Sequence, residues 1–205
     1  MGTAIVLFLV FVIAVLVVSV HASQQYERRR RAEVGGFAAA RGWAFRAIDQ
    51  GWTHIARRAP FGLGHSPAAR YVMVGPYAGL GAVVFEYQWA TGTGDGRRMH
   101  GTGVYALVLP APLPWVHVRG ESVRADDLRF AHDLLNPRTM EELVGAAGLT
   151  VQVSDRYLVA TTGKALDLAW VDRTLQLLGR IVTRLPDYVW TDRGAAPPPV
   201  WGYPA

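Results

Sequence analysis

The chain opens with a run of apolar positions that no charge interrupts. Residues 4–20 read AIVLFLVFVIAVLVVSV, with Ser19 the single hydroxyl. Flanked by Thr3, His21 and Ala22, the run approaches the ~20 residues needed to cross a hydrocarbon core of ~30 Å. Backbone groups in lipid must bond within their own segment, so the run is predicted to be a helix despite its β-branched content. A different pattern follows. Residues 24–41 (QQYERRRRAEVGGFAAAR) have a charged first half and an apolar second half. They predict a stalk helix loosened at Gly35 and Gly36 and stopped by Gly42.

Short runs rich in Val, Tyr, Trp and Phe then recur between glycines. They predict strands at 43–48, 70–77, 81–91 and 97–109, with GTGDG at 92–96 as the turn of a long hairpin. The prolines in PAPLP at 110–114 neither donate to a ladder nor continue a helix. They are predicted to end the sheet before a short strand at 115–119. Helices are expected at 128–135 and from Pro137 to about Gly148, the second with Asn136 as N-cap. A hairpin is expected around 154–156. Leu168, Val171, Leu175, Leu178, Val182 and Leu185 repeat at helical spacing, widened by Leu166, Trp170, Leu177 and Ile181. This stripe predicts an amphipathic helix over 166–185 that packs on the sheet.

The expected fold class is α+β: an N-terminal transmembrane helix, then an antiparallel meander packed by C-terminal amphipathic helices. The expected organisation is an anchor at 1–22, a basic juxtamembrane stalk at 23–42, an α+β domain at 43–190 and a Pro-rich flexible tail at 191–205.

Charge sharpens this picture by its position. The net charge of +5 lies entirely within 24–58, where eight arginines face Glu27, Glu33 and Asp49; the 13 basic and 13 acidic side chains of 59–205 cancel. The sequence pI of about 9.9 therefore does not point to nucleic acid, because the folded part has no basic surplus. Arg28, Arg29, Arg30 and Arg31 follow the apolar run. Arginines at that end of an anchor hold it in the cytoplasm, so the expected location is the inner membrane, N-terminus out and domain in the cytoplasm. The same four arginines are the candidate contact with anionic headgroups. A cleavable signal peptide is the competing reading, with His21 and Ala22 ahead of Ser23. Against it, no basic residue precedes the run, and the run exceeds an h-region of roughly 7–15 residues. The absence of cysteine excludes disulfides and thiolate chemistry.

Few residues carry candidate chemistry. His65 and Ser66 lie in GHSPA, one residue short of a nucleophile elbow, but Pro67 stands where the elbow needs a helix-entering residue. His100 and His117 are placed to meet across neighbouring strands. Asp126 with Asp127, and Glu141 with Glu142, are sequence neighbours that point apart on a helix, so neither is an acid/base pair. Trp43, Trp89, Trp115 and Trp170 fall in apolar elements and are expected in the core. No cofactor and no metal ligand is assigned.

The segments ARGWAF (40–45), PFGLGH (60–65), FEYQW (85–89), LPAPLPWVHV (109–118), RFAHDLLNPRTMEEL (129–143) and LPDYVW (185–190) resemble a set of uncharacterised single-pass membrane proteins of high-GC bacteria that carry a domain of unknown function. The chain departs from them in having little between Val118 and Leu128. The resemblance implies a compact α+β domain behind an anchor and transfers no functional residue. The function expected is that of a non-enzymatic accessory or scaffold protein that presents the domain to a protein partner at the lipid bilayer. The alternatives are a small-ligand or lipid-headgroup binding module, with a pocket between the sheet and the 137–147 helix, and a hydrolase using His65 and Ser66.

Overall fold

A computed structural model of the chain describes residues 2–146 and 148–198, with the backbone alone at 2–14, 16 and 17. Helix α1 runs Gly2–Ala39 without a break. Gly35 and Gly36 do not loosen it. Gly35 instead admits the Phe45 ring, whose Cδ1 would lie 3.4 Å from an added Cβ. Gly42, at φ 66°, follows the helix as a left-handed stop.

The strands are β1 (Ala44–Ile48), β2 (His65–Tyr77), β3 (Leu80–Thr91), β4 (Arg98–Arg119), β5 (Ser122–Ala125) and β6 (Thr150–Thr161). All pairings are antiparallel, β1 to β5 follow one another as a meander, and β6 returns to pair with β4. The α+β class with an antiparallel sheet and C-terminal helices is as expected. Ala78 and Gly79, both at positive φ, make the two-residue turn between β2 and β3.

Two boundaries differ from expectation for one reason. β4 does not stop at its prolines but continues for 22 residues. Pro110, Pro112 and Pro114 sit where the demand for ladder donors lapses. β3 pairs only as far as Val108, β5 begins at Val116, and the β6 register shifts between Val108 and Val116. A missing N–H costs little at such a gap. β6 follows the same bend, with Asp155 at φ 54°, so the expected hairpin around 154–156 is a single strand. Its two halves pair with the two halves of β4.

The helices after the meander are α2 (Leu128–Leu134), α3 (Pro137–Gly145), α4 (Val171–Thr183) and the short α5 (Tyr188–Thr191). Asp127 caps α2 by accepting from Phe130 N–H, and Asn136 caps α3 by accepting from Thr139 N–H, both at 3.0 Å. One core joins the helices to the sheet through Leu107, Leu158, Leu175, Leu178 and Trp190. A second core lies on the other face, where Ile55, Ala56 and Phe61 cover Val83, Phe85 and Val104.

The membrane expectation is overturned. Among the described residues no helix is long and apolar enough to cross a membrane, and this corrects the reading of a single-pass inner-membrane protein with its N-terminus out and its domain in the cytoplasm. The charged side chains of α1, four arginines with Glu27 and Glu33, lie in the stretch expected as the stalk, and they leave the described side chains of the helix, at 15 and 18–39, without the uncharged run of about 20 residues that a span needs. Most of the side chains expected to form the anchor lie outside the described residues. Residues 199–205 of the expected tail lie outside them as well.

Candidate functional site

Two places gather polar side chains from distant parts of the chain. The first is the junction of α1 with the sheet. Glu27 accepts from Arg70 Nη2 at 2.6 Å and from the Tyr71 hydroxyl at 3.0 Å. Neighbours on a regular strand point to opposite faces. A register shift beyond Arg70, with Tyr71 at φ 53°, lets both reach one carboxylate. Burial pushes the Glu27 carboxyl up, but the bonds from Tyr71 and Arg70 and the charges of Arg70 and Arg31 outweigh it and hold it below its ordinary value. Burial, with the bond to Glu27, pushes the Tyr71 phenol up to about 12.

One helical turn on, the Arg30 guanidinium donates to Glu33 at 2.9 Å and to the carbonyl of Leu166. Leu166 is held at its other end too. Its N–H donates to the buried carboxylate of Glu86 at 3.1 Å, and the Tyr105 hydroxyl donates to the carbonyl of Asp167 at 3.1 Å. The loop entering α4 is thus tied to both β3 and α1. The four arginines therefore part company. Arg30 is committed to this loop, Arg31 lies 3.8 Å from Glu27, and Arg28 and Arg29 are exposed. The junction is saturated with internal bonds, so its chemistry is attachment.

The second place is a cleft of about 280 Å³ between α3 and α4. Leu149, Leu177 and Trp170 form apolar walls, and Arg173, Thr174 and Arg180 supply polar groups. Glu142, also in the lining, takes Arg180 Nε at 3.0 Å on one oxygen and Arg184 Nη2 at 2.6 Å on the other. Burial raises the Glu142 carboxyl, but the bonds and charges of Arg184 and Arg180 outweigh it and hold it below its ordinary value. One carboxylate between two guanidiniums leaves a net positive charge. Arg173 stacks over the Trp170 ring at 5.6 Å and has no carboxylate within ion-pair distance among the described residues. Thr174 is 1 % exposed, and its hydroxyl has no hydrogen-bond partner among them. A helical threonine usually returns its hydroxyl to the preceding turn. This one does not.

The other candidates fall elsewhere. His65 Nδ1 lies 3.2 Å from Ser66 Oγ, but the pair is exposed, and Nε2 meets the carbonyl of Gly92 at 2.8 Å, where a triad would place a carboxylate. His100 and His117 do not meet, because both stand on β4. His100 stacks on Trp89 at 5.3 Å and His117 on Trp115 at 6.1 Å. Trp43 is buried as expected, whereas Trp89, Trp115 and Trp170 are half-buried; among the described residues the fully buried indole is Trp190. The ligand-binding alternative would place a pocket between the sheet and the 137–147 helix; the cleft lies between that helix and α4.

The cleft residues Arg173, Thr174 and Arg180 were not singled out from the sequence. One signal was present: Thr174 interrupts the apolar stripe between Val171 and Leu178, and a hydroxyl on a buried stripe needs a partner.

No family model matches the chain, and no curated protein matches it. Among solved structures, the crystal structure of the mycobacterial trehalose monomycolate transport factor A, TtfA, is similar. It has a TM-score of 0.57 and 14% sequence identity, and the match covers 77% of this chain and 95% of that one. At that identity the likeness is one of fold.

Proposed function

We propose that this chain is a non-catalytic accessory factor of a lipid-transport system, and that it acts by presenting its α+β domain to a protein partner. One observation carries the reading: the fold is shared with a transport factor along nearly the whole of that factor's chain. The saturated junction and the filled cores on both sheet faces fit a rigid module better than a catalyst. Hydrolysis by His65 and Ser66 gains no support from a contact between chain neighbours whose imidazole is held by a backbone carbonyl. Arg28, Arg29 and Arg31 are the groups proposed to meet anionic headgroups, each worth about 1 kcal/mol near a charged surface.

The test is conditional depletion in the source organism. Newly made lipid is labelled with radioactive acetate, and internal and envelope lipids are extracted separately. A lipid that builds up inside while it falls in the envelope is the expected result. An unchanged distribution in fully depleted cells would remove the lipid-transport reading. For the arginines, flotation with anionic vesicles should fall when Arg28, Arg29 and Arg31 become glutamine. Equal flotation would leave them without a lipid role.

A further inference from the structure

The geometry points to the cleft between α3 and α4 as a binding site for the anionic head of a single-chain amphiphile, with the phosphate or carboxylate on Arg173 and Thr174 and the first carbons of the tail against Leu149, Leu177 and Trp170. This goes beyond the accessory role and stands on the cleft alone.

Three features select an anion. Glu142 is ionised and already satisfied by Arg180 and Arg184, so the surroundings carry a net positive charge that no protein carboxylate among the described residues answers. Arg173 has a ring face for company and no acid, leaving its N–H edge to be used. Thr174 borders the cleft and carries a buried hydroxyl with no partner among the described residues, which a turn about its Cα–Cβ bond would bring to a ligand oxygen. The approach of a cation would instead oppose all three arginines.

The walls select an amphiphile over a free anion. An inorganic phosphate would leave the half-buried Trp170 ring wet, whereas a tail laid along it, against the edges of the nearly buried Leu149 and Leu177, would dry it. Volume sets the limit. Sites that enclose a drug-sized molecule run from about 300 to 1,000 Å³, and 280 Å³ lies just below that range. The cleft therefore takes a head and the first few methylenes, with the rest of the chain emerging past Trp170, an indole suited to a boundary between apolar and wet surroundings.

The experiment is calorimetric titration of the full chain with decyl phosphate below its micellar concentration, beside inorganic phosphate and decyl maltoside. Decyl phosphate should bind saturably. Inorganic phosphate, lacking the tail, should bind at least roughly tenfold more weakly. Arg173→Gln should weaken decyl phosphate roughly tenfold and Thr174→Val roughly threefold, the scale of a charge-assisted and a neutral hydrogen bond. Arg173→Gln should melt like the parent, since Arg173 is exposed, and Thr174→Val should melt at or above it, since valine matches threonine in shape and removes an unpaired buried hydroxyl. Binding unchanged in both variants would place the amphiphile elsewhere on the chain and overturn the site. Equal binding of decyl maltoside would overturn the anion, and equal binding of inorganic phosphate would overturn the tail. None of these outcomes bears on the depletion experiment, so the two readings fail separately.

Discussion

The two faces of the sheet are covered by different means. On one face lie α4, the end of α1 and the short helices, over a core of Val34, Leu107, Leu175, Leu178 and Trp190. On the other, residues 52–61 lay Trp52, Ile55, Ala56 and Phe61 over a smaller and more aromatic cluster of Phe85, Tyr87, Val104 and Val159. The first cover is periodic in sequence and so announces itself. The second is irregular backbone with no period. Because both faces are dry, β3 does not alternate: Val83, Val84, Phe85, Glu86 and Tyr87 are all buried in succession.

The largest expected effect lies on the helix-covered face. Leu178→Asp should abolish the cooperative melt, since an unpaired charge at a site with no exposure costs several kcal/mol against a total stability of about 5–15 kcal/mol. A melt like that of the parent would mean that α4 is not the centre of the core. Phe85→Ala asks the same of the other face. If residues 52–61 are a true cover, it should cost about 3–5 kcal/mol and lower the melting temperature while the transition stays cooperative. A loss below ~1 kcal/mol would show that the loop collapses onto the gap, making the second face a lid over a one-sided sheet.

The third effect has the opposite sign. Gln152 pairs with His117 across β6 and β4 and faces away from Val151 and Val153, which belong to the helix-side core. It is 1 % exposed, and neither end of its amide has a partner among the described residues. Gln152→Met keeps the length and removes two dry polar groups, so stability should rise by about 1 kcal/mol or more in a denaturant titration. A fall would show that the amide is satisfied by water under the loop.

How much of this was legible in the sequence follows from how local each signal is. The β3–β4 hairpin and the Asn136 cap depend on neighbours within a few residues, and each is where the pattern placed it; of the helix expected over 166–185, α4 takes Val171–Thr183, and Leu166 lies in the loop before it. β5 is four residues long with a mixed sequence, SVRA, and carries no period to read. The prolines of β4 signal a break by their own chemistry, whereas what permits them is a gap in pairing with three other strands. Thr174 showed itself as a hydroxyl on an apolar stripe, yet its cleft exists only because α3, 26 residues or more upstream of α4 in the sequence, packs beside it. The pairing of Glu27 with Arg70 and Tyr71 depends on a bulge that no composition announces.

The smallest expected effects come from pH, which separates the two faces by the groups that titrate on each. His117 is on the loop-covered side; burial, with the charges of Arg124, Arg119 and Arg58, holds its imidazole below the ordinary value of 6.5. Glu27 is on the helix side, and its carboxyl is held below the ordinary 4.5. In both, the folded protein binds its proton less readily than the unfolded chain. The stability each contributes is therefore present above the unfolded value and lost as pH falls through the folded one. Denaturant titrations from pH 8 to pH 3 should then show two losses: one beginning below about 6.5 and absent from His117→Gln, the other beginning below about 4.5 and reduced in Glu27→Gln. Each should be about 1 kcal/mol or less, because both groups keep contact with water. Tyr71 supplies the mirror image on the helix side. Its phenol is raised to about 12, so its contribution is complete below about 10 and disappears as pH rises through about 12, a loss that Tyr71→Phe should remove. If His117→Gln left the mild-acid loss intact, the imidazole would be titrating as in free solution, and the second face would be open to water around it. The two covers would then differ in kind: a sealed core beneath the helices and a wet one beneath the loop.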